Sequence, residues 1–530
     1  MALVPIRPTK VPVRSAASQT AKVFNMPPPV GGLNYRDPIS AMDPRDALVL
    51  DNMIPRQQGV EMRKGWRVHA NSPGSTVDSI FSYKSSGASD KVFMAANGNI
   101  YDITAGGTPT LVVTGTGSID DDWWTTQFST PGDNFLLAVS PGAGYWTYST
   151  ATGWVNRTAL TVGLSVNVRT VAVWKQRVWF TVVGDAQVYY MRGVNAIQGN
   201  ADPFPMGALL RNGGYASAIV NWTMDAGVGI DDYLVVIGTE GDVGVWQGTD
   251  PTSASTFGLK GTWYVGPVPR YGVYFTNFGG DVMIVSSMGL VPMSKLVAGQ
   301  FNDLQDSPAS KIQPVLLKMV NDLLNERSWD VFLVPSSEVL VIKLPAKAGV
   351  YTQFAMNMVT GAWCTFSGLP MRCTTMLGGQ LYFGLFDGRS AKGLFGNTDG
   401  AASDGSGGNT IEGDVQTAFN AFNSPANLKK FGMARPIFVA PTAPSVKLRV
   451  NTQYTFSNVA GSPSYTSTPD AVWNTSVWNV ARWVGDANTY QAWVGTTGVG
   501  YYGALRMKVR GLPGTVFTSS HMLAEMGGVM

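Results

Sequence analysis

The chain has 530 residues, room for about two to four domains at roughly 100–200 residues each. Its 38 Lys and Arg against 35 Asp and Glu leave a net charge of +3, which excludes the strongly basic balance of a typical nucleic-acid-binding domain. With 61 Gly, 31 Pro, 16 Trp and only 14% charged residues, it reads as a turn-rich β chain, not a helical bundle, coiled coil or disordered polyampholyte.

Residues 1–30 open as an extended basic arm: Arg7, Lys10, Arg14 and Lys22 stand without an acid in the first 25 positions. Pro5, Pro8 and Pro12 interrupt any apolar core of a signal peptide. No run approaches the 18 or so apolar residues of a membrane helix, so no membrane-spanning segment is expected. From 31 to 396, after an N-terminal lead-in, one pattern recurs: an apolar strand, a Gly or Asn turn, and a second strand. Asn97-Gly98, between Val92–Ala95 and Ile100–Tyr101, is its sharpest hairpin signal. Anchors at Phe93, Leu136, Trp179, Val235, Met283, Leu340 and Tyr382 are 42 to 57 residues apart. That period predicts β-propeller blades, because a small sheet with two apolar faces must stack on neighbours. Seven units are countable, and six to eight blades are expected.

One segment departs from the β pattern. Asp306-Ser307-Pro308 resembles a helix start, and Ile312, Val315, Leu316, Met319, Val320, Leu323 and Leu324 follow at helical spacing. An amphipathic helix near 308–325 is therefore expected between blades, with a kink or late start at Pro314. Residues 397–413, rich in Gly, Ser, Asp and Asn, predict a loop or linker. Beyond it, 414–530 predict a second all-β domain, with strands at Arg435–Val439, Ser445–Asn451, Ala492–Val494 and Ala504–Arg510. The fold class is all-β: a propeller with an inserted helix and a C-terminal β domain.

Signals of chemistry are sparse. His69 and His521 are the only histidines and neither has a metal-ligand partner in sequence, so no catalytic residue, metal or cofactor is expected. Cys364 and Cys373 read as free thiols. Asp120, Asp121 and Asp122 precede Trp123-Trp124; acids beside an indole suit a sugar site, and a solvated turn before a buried strand fits the same letters. Gly498-Val499-Gly500-Tyr501-Tyr502-Gly503 matches a dinucleotide fingerprint in letters alone, because a strand follows where a helix is needed. Trp473, Trp478 and Trp483 recur every five residues, which turns successive rings to opposite sides of a strand. Lys447/Arg449 and Arg506/Lys508/Arg510 form two basic rows, each alternating with an apolar row.

The blocks Gly31–Trp66, Lys429–Pro441 and VWNTSVWNVARW, with the terminal EMGGVM, resemble the tail nozzle or tail-hub (tail tubular protein B-like) proteins of short-tailed bacteriophages, the podovirus type. The family's Leu-Asp-Asn-x-x-Pro step is matched by Leu50, Asp51, Asn52 and Pro55. The resemblance implies a non-enzymatic virion protein, made in the host cytoplasm and built into the tail. Six copies would ring a channel below the portal and adaptor, dock tail fibres or spikes, retain packaged double-stranded DNA and conduct it during ejection. On that reading Lys447, Arg449, Arg506, Lys508 and Arg510 are candidate contacts with the channel or a partner. The alternative is a carbohydrate-binding or glycan-cleaving propeller on a virion or cell surface, which needs Asp120–Asp122 and Trp123 at one concave site. A fibre or adaptor component of the same particle is a third reading.

Overall fold

The computed structural model describes residues 21–87, 89–119, 122–225, 230–253, 255–299, 307–347, 349–465 and 487–529. Most of the basic arm, Asp120, Asp121, Asp306 and the tryptophans at 473, 478 and 483 lie outside them.

Six antiparallel sheets, each built from consecutive strands, follow one another around an axis. They span Ser79–Val113, Trp124–Asn156, Val168–Pro205, Ala216–Tyr264, Phe275–Pro292 and Asp330–Phe366. A composite sheet closes the ring: strands Cys373–Leu377, Gln380–Gly384 and Ser390–Gly393 are completed by Trp66–Ala70 from before the first sheet. The chain is an all-β propeller. All seven sequence anchors fall on the second strand of their own sheet. Those strands are buried on both faces: Arg177–Val182 and Val339–Lys343 are buried at every position. Alternation therefore gives way to continuous apolar runs.

The space between adjacent sheets is the core. Phe81, Phe93, Leu136 and Ala138 fill the first gap, Leu137, Val171 and Phe180 the second, and Trp174, Trp179, Leu234 and Phe257 the third. At Asn97-Gly98 both residues have positive φ, 51° and 70°, between paired Ala96 and Asn99, as a type I′ hairpin requires. Lys175-Gln176 adopts the same conformation with φ of 47° and 59°. No turn residue announces it; burial of Trp174 and Trp179 on its flanking strands sets the register.

The fifth sheet has three strands, and helices α1 (Met293–Val297) and α2 (Gln313–Leu323) pack against its second and third strands. The expected helix is thus present and starts late, with Pro314 in its first turn. Leu316, Val320 and Leu323 are its buried stripe.

The remaining strands form a β unit joined to the propeller without a break in hydrogen bonding. Strand Asp46–Asp51 pairs with Trp363–Phe366 of the sixth sheet on one side and Glu412–Thr417 on the other, giving a nine-stranded sheet that continues through Gly503–Arg510 to Ser445–Thr452. A seven-stranded sheet centres on Asn427–Ala440 and Val516–Val529; Ala21–Met26 and Val60–Met62 add to the latter strand. Residues 21–62, read in sequence as the end of an arm and a propeller lead-in, therefore share sheets with the C-terminal strands. Within 397–413, Thr398–Ala401 pairs in parallel with Trp66–Ala70, so part of this Gly/Ser-rich stretch is sheet.

Candidate functional site

Three places combine charge with structure: the junction between propeller and β unit, the basic face of the β unit, and one mouth of the propeller axis.

At the junction, Arg63 is buried and forms a bidentate pair with Asp399 at 2.8 and 2.7 Å. Its Nε donates to Asn52 Oδ1 at 2.7 Å, and Nη2 donates to the Ser367 carbonyl. Asn52, at φ 58°, donates to the Glu412 carbonyl at 2.9 Å and accepts from the Ser367 amide at 3.0 Å. Asp51 accepts from the hydroxyls of Thr365 and Ser367. Burial nevertheless pushes its carboxyl above the usual range, against those bonds and the Arg63 charge. Asp51 and Asn52 thus bind the end of the sixth sheet to the β unit.

On the basic face, Ser445–Thr452 and Gly503–Arg510 are direct antiparallel neighbours, with Lys447 opposite Lys508 and Arg449 opposite Arg506. The five cations share a side of the sheet, but the adjacent strand Glu412–Thr417 brings acids. Arg506, 5% exposed, donates to Asp414 at 2.7 Å, and Glu412 accepts from Lys508 at 2.8 Å and Arg510 at 3.0 Å. Burial would raise the Glu412 carboxyl, yet bonds from Lys508 and Ser462 and the nearby cations hold it below its ordinary value. At Asp414 burial prevails and the carboxyl is raised. The segment around Asn458 lies over this face: its carbonyl accepts from Arg449 and its side chain from Arg506. Lys447 remains exposed.

The mouth lies where first strands of the sheets begin. Asp78 and Ser79, Asp122 and Trp123, Tyr271–Val273, Ser328–Asp330 and Arg372–Thr374 lie at or just before the first strands of five sheets and surround a cavity of about 450 Å³. Residues 325–327, just past α2, complete the wall, so the inserted helix delivers Glu326 and Arg327 to it. Arg372 pairs with Asp78 and lies over Phe386, its guanidinium 5.6 Å from the ring centroid. Arg169 pairs with Asp122 at 2.9 Å and lies 5.2 Å from the Tyr271 centroid, which Arg327 approaches to 4.8 Å. Beneath, the buried Lys343 ammonium donates to the Ser328 carbonyl, to Ser328 Oγ at 2.9 Å and to the Arg372 carbonyl at 2.7 Å. Burial lowers Lys343 to about 8 despite Asp330, its cross-strand partner, and pushes the Cys373 thiol up to about 12. Two signals of this site stand in the sequence: a charged residue at or just before a repeat's first strand, at Asp78, Asp122, Asp330 and Arg372, and the acid-before-indole step Asp122-Trp123.

The other singled-out residues have structural partners. His69 Nε2 is 2.7 Å from the Ile103 carbonyl and its ring meets Tyr382 edge-on; His521 Nδ1 is 2.8 Å from Arg435. Cys364 and Cys373 are free thiols. In the dinucleotide-like stretch, a Cβ on Gly503 would stand 2.7 Å from the Phe431 ring, so close packing requires that glycine.

Fold and site together define a β-propeller with a fused β unit and a polar, aromatic-edged mouth. No family profile and no curated protein matches the chain. Among solved structures it is similar to the WD40 β-propeller domain of Doa1, at 12% identity and TM-score 0.38 over 62% of this chain and 96% of that one. A computationally designed protein, Ika8, aligns at 12% identity and TM-score 0.35 over 63% and 100%. BBS1N, from its complex with ARL6DN, aligns at 10% and 0.37 over 63% and 98%. At these values the propeller assignment rests on the strand pairing of this chain itself. No helix among the described residues is long and apolar enough to cross a membrane.

Proposed function

We propose that this protein is a structural virion component, the tail nozzle of a short-tailed bacteriophage. It acts without catalysis: six copies ring a channel below the portal and adaptor, hold packaged DNA, conduct it at ejection, and dock tail fibres. The observation that supports this reading is the convergence of two of the stretches carrying the resemblance. Leu50 to Pro55 and Lys429 to Ala440 lie far apart in sequence and belong to the same β unit, whose nine-stranded sheet runs on into the propeller. A conduit bearing internal pressure needs domains that do not hinge, and a continuous sheet resists hinging better than a linker does. The low charge of the chain suits extensive contact with neighbours, since interface cores are depleted in charged residues.

The test is native mass spectrometry of the protein mixed with its neighbouring tail adaptor. A sixfold complex is expected; only single copies on the adaptor would refute the ring. The second reading, a carbohydrate-binding propeller, is favoured by one observation: Asp122 and Trp123 line the same concave mouth.

A further inference from the structure

We propose that the mouth of the propeller axis is a binding site for a neutral saccharide. The proposal rests on the second reading, whose ligand class it names, and is independent of the virion reading, because it concerns the propeller cavity and not assembly.

The cavity, about 450 Å³, falls within the roughly 300–1,000 Å³ of small-molecule sites. Its charges are mutually compensated. Asp78 faces Arg372, Asp122 faces Arg169, and Asp330 is the cross-strand partner of Lys343. Glu326 and Arg327 add one charge of each sign to the wall. A charged ligand at Asp78–Arg372 or Asp122–Arg169 would have to displace one member of the ion pair and leave its partner uncompensated, which is costly in a partly desolvated site. A neutral ligand with hydroxyl groups disturbs none of these pairs, because each hydroxyl donates to a carboxylate and accepts from a guanidinium.

The apolar surfaces fit the same ligand. Phe386 is 37% exposed and Tyr271 is half-buried; Arg372 lies over the Phe386 ring and Arg169 and Arg327 over that of Tyr271, so the apolar surface these rings leave exposed adjoins planar hydrogen-bonding groups. A pyranose ring has the complementary surfaces, an apolar C–H face with hydroxyls at its edge. Trp123, 8% exposed, is part of the lining and is held in place by packing on Phe81, ring centroids 6.2 Å apart. The site is also held in advance. The bonds from Lys343 to Ser328 and Arg372 fasten two of the lining segments together, so little conformational entropy is lost when a ligand binds.

Saturation-transfer NMR of the full chain with maltohexaose, cellohexaose and chitohexaose tests the proposal, with hexagalacturonate as the acidic comparison and a basic hexapeptide as the cationic one. Transfer to at least one neutral hexasaccharide is expected, with affinity reduced tenfold or more in both Phe386→Ser and Asp122→Asn. A thermal transition matched to the unsubstituted protein verifies folding of each variant. If one fails to fold, Arg327→Gln, at an exposed position, replaces it. Absence of transfer from all three neutral sugars overturns the proposal. So does transfer that both variants leave intact, or stronger binding of the acidic sugar or the peptide. Sixfold assembly is scored separately by mass, so either reading can fail without the other.

Discussion

Arg63 and Asp399, 336 positions apart, meet in a bidentate ion pair at the seam between propeller and β unit, with the arginine fully buried. The pair joins the residue preceding the closing strand Trp66–Ala70 by three positions to the strand that pairs with it in parallel. Ring closure and domain attachment therefore share one set of contacts.

Replacing Arg63 with Met should lower stability by about 3–5 kcal/mol, because it leaves Asp399 and Asn52 Oδ1 without their buried partner. Arg63→Lys should recover only part of this, since an ammonium cannot match the fork that engages both Asp399 oxygens. Chemical denaturation of the two variants beside the unsubstituted chain measures both losses. A cost near zero for Arg63→Met would mean that the seam is held by its strands alone.

Lys343 sets a pH dependence with a definite sign. Its folded-state value of about 8 lies below the ordinary 10.5, so between these limits the unfolded chain holds a proton that the folded chain has released. Stability therefore rises with pH in that window, by up to about 1.4 kcal/mol per pH unit. Cys373 acts oppositely: moved from 9.0 to about 12, it makes stability fall above pH 9. The net rise should be confined to pH 8–9 and absent in Lys343→Met, and thermal melts of both proteins across pH 7–10 read it.

The five basic residues of the β unit should separate on substitution. Arg506→Gln removes the partner of Asp414 beneath the Asn458 segment and should cost about 3–5 kcal/mol. Lys447→Gln, at an exposed position, should change stability by no more than about 0.5 kcal/mol. Any effect of Lys447→Gln on DNA retention by particles would then report a contact and not misfolding, and it should weaken as salt is added.

Helix α2 anchors the mouth. Leu316→Ala, at a fully buried position, should cost about 2–5 kcal/mol, whereas Lys318→Ala on the exposed side should cost almost nothing. Hydrogen exchange at 325–327 should accelerate in Leu316→Ala and stay unchanged in Lys318→Ala.

The sequence by itself determined the features that depend on neighbours along the chain. Runs such as Val92–Ala96 and Leu340–Lys343 identified strands buried on both faces, Asn97-Gly98 identified a hairpin by its tolerance of positive φ, and the stripe from Leu316 to Leu323 identified the helix. Local sterics and side-chain periodicity fix these wherever the segment folds. Only the tertiary structure decided what depends on strand order between distant segments. It brought residues 46–62 into sheets with 412–417 and 516–529, set Glu412 and Asp414 against a basic row that alternation alone would leave to solvent, and gathered Asp78, Asp122, Asp330 and Arg372 around one mouth. The reason is that a strand's alternation states which side chains share a face but not which strand lies beside it. The partner is chosen by closure of the ring and burial of the seam, whose contacts span more than 300 residues.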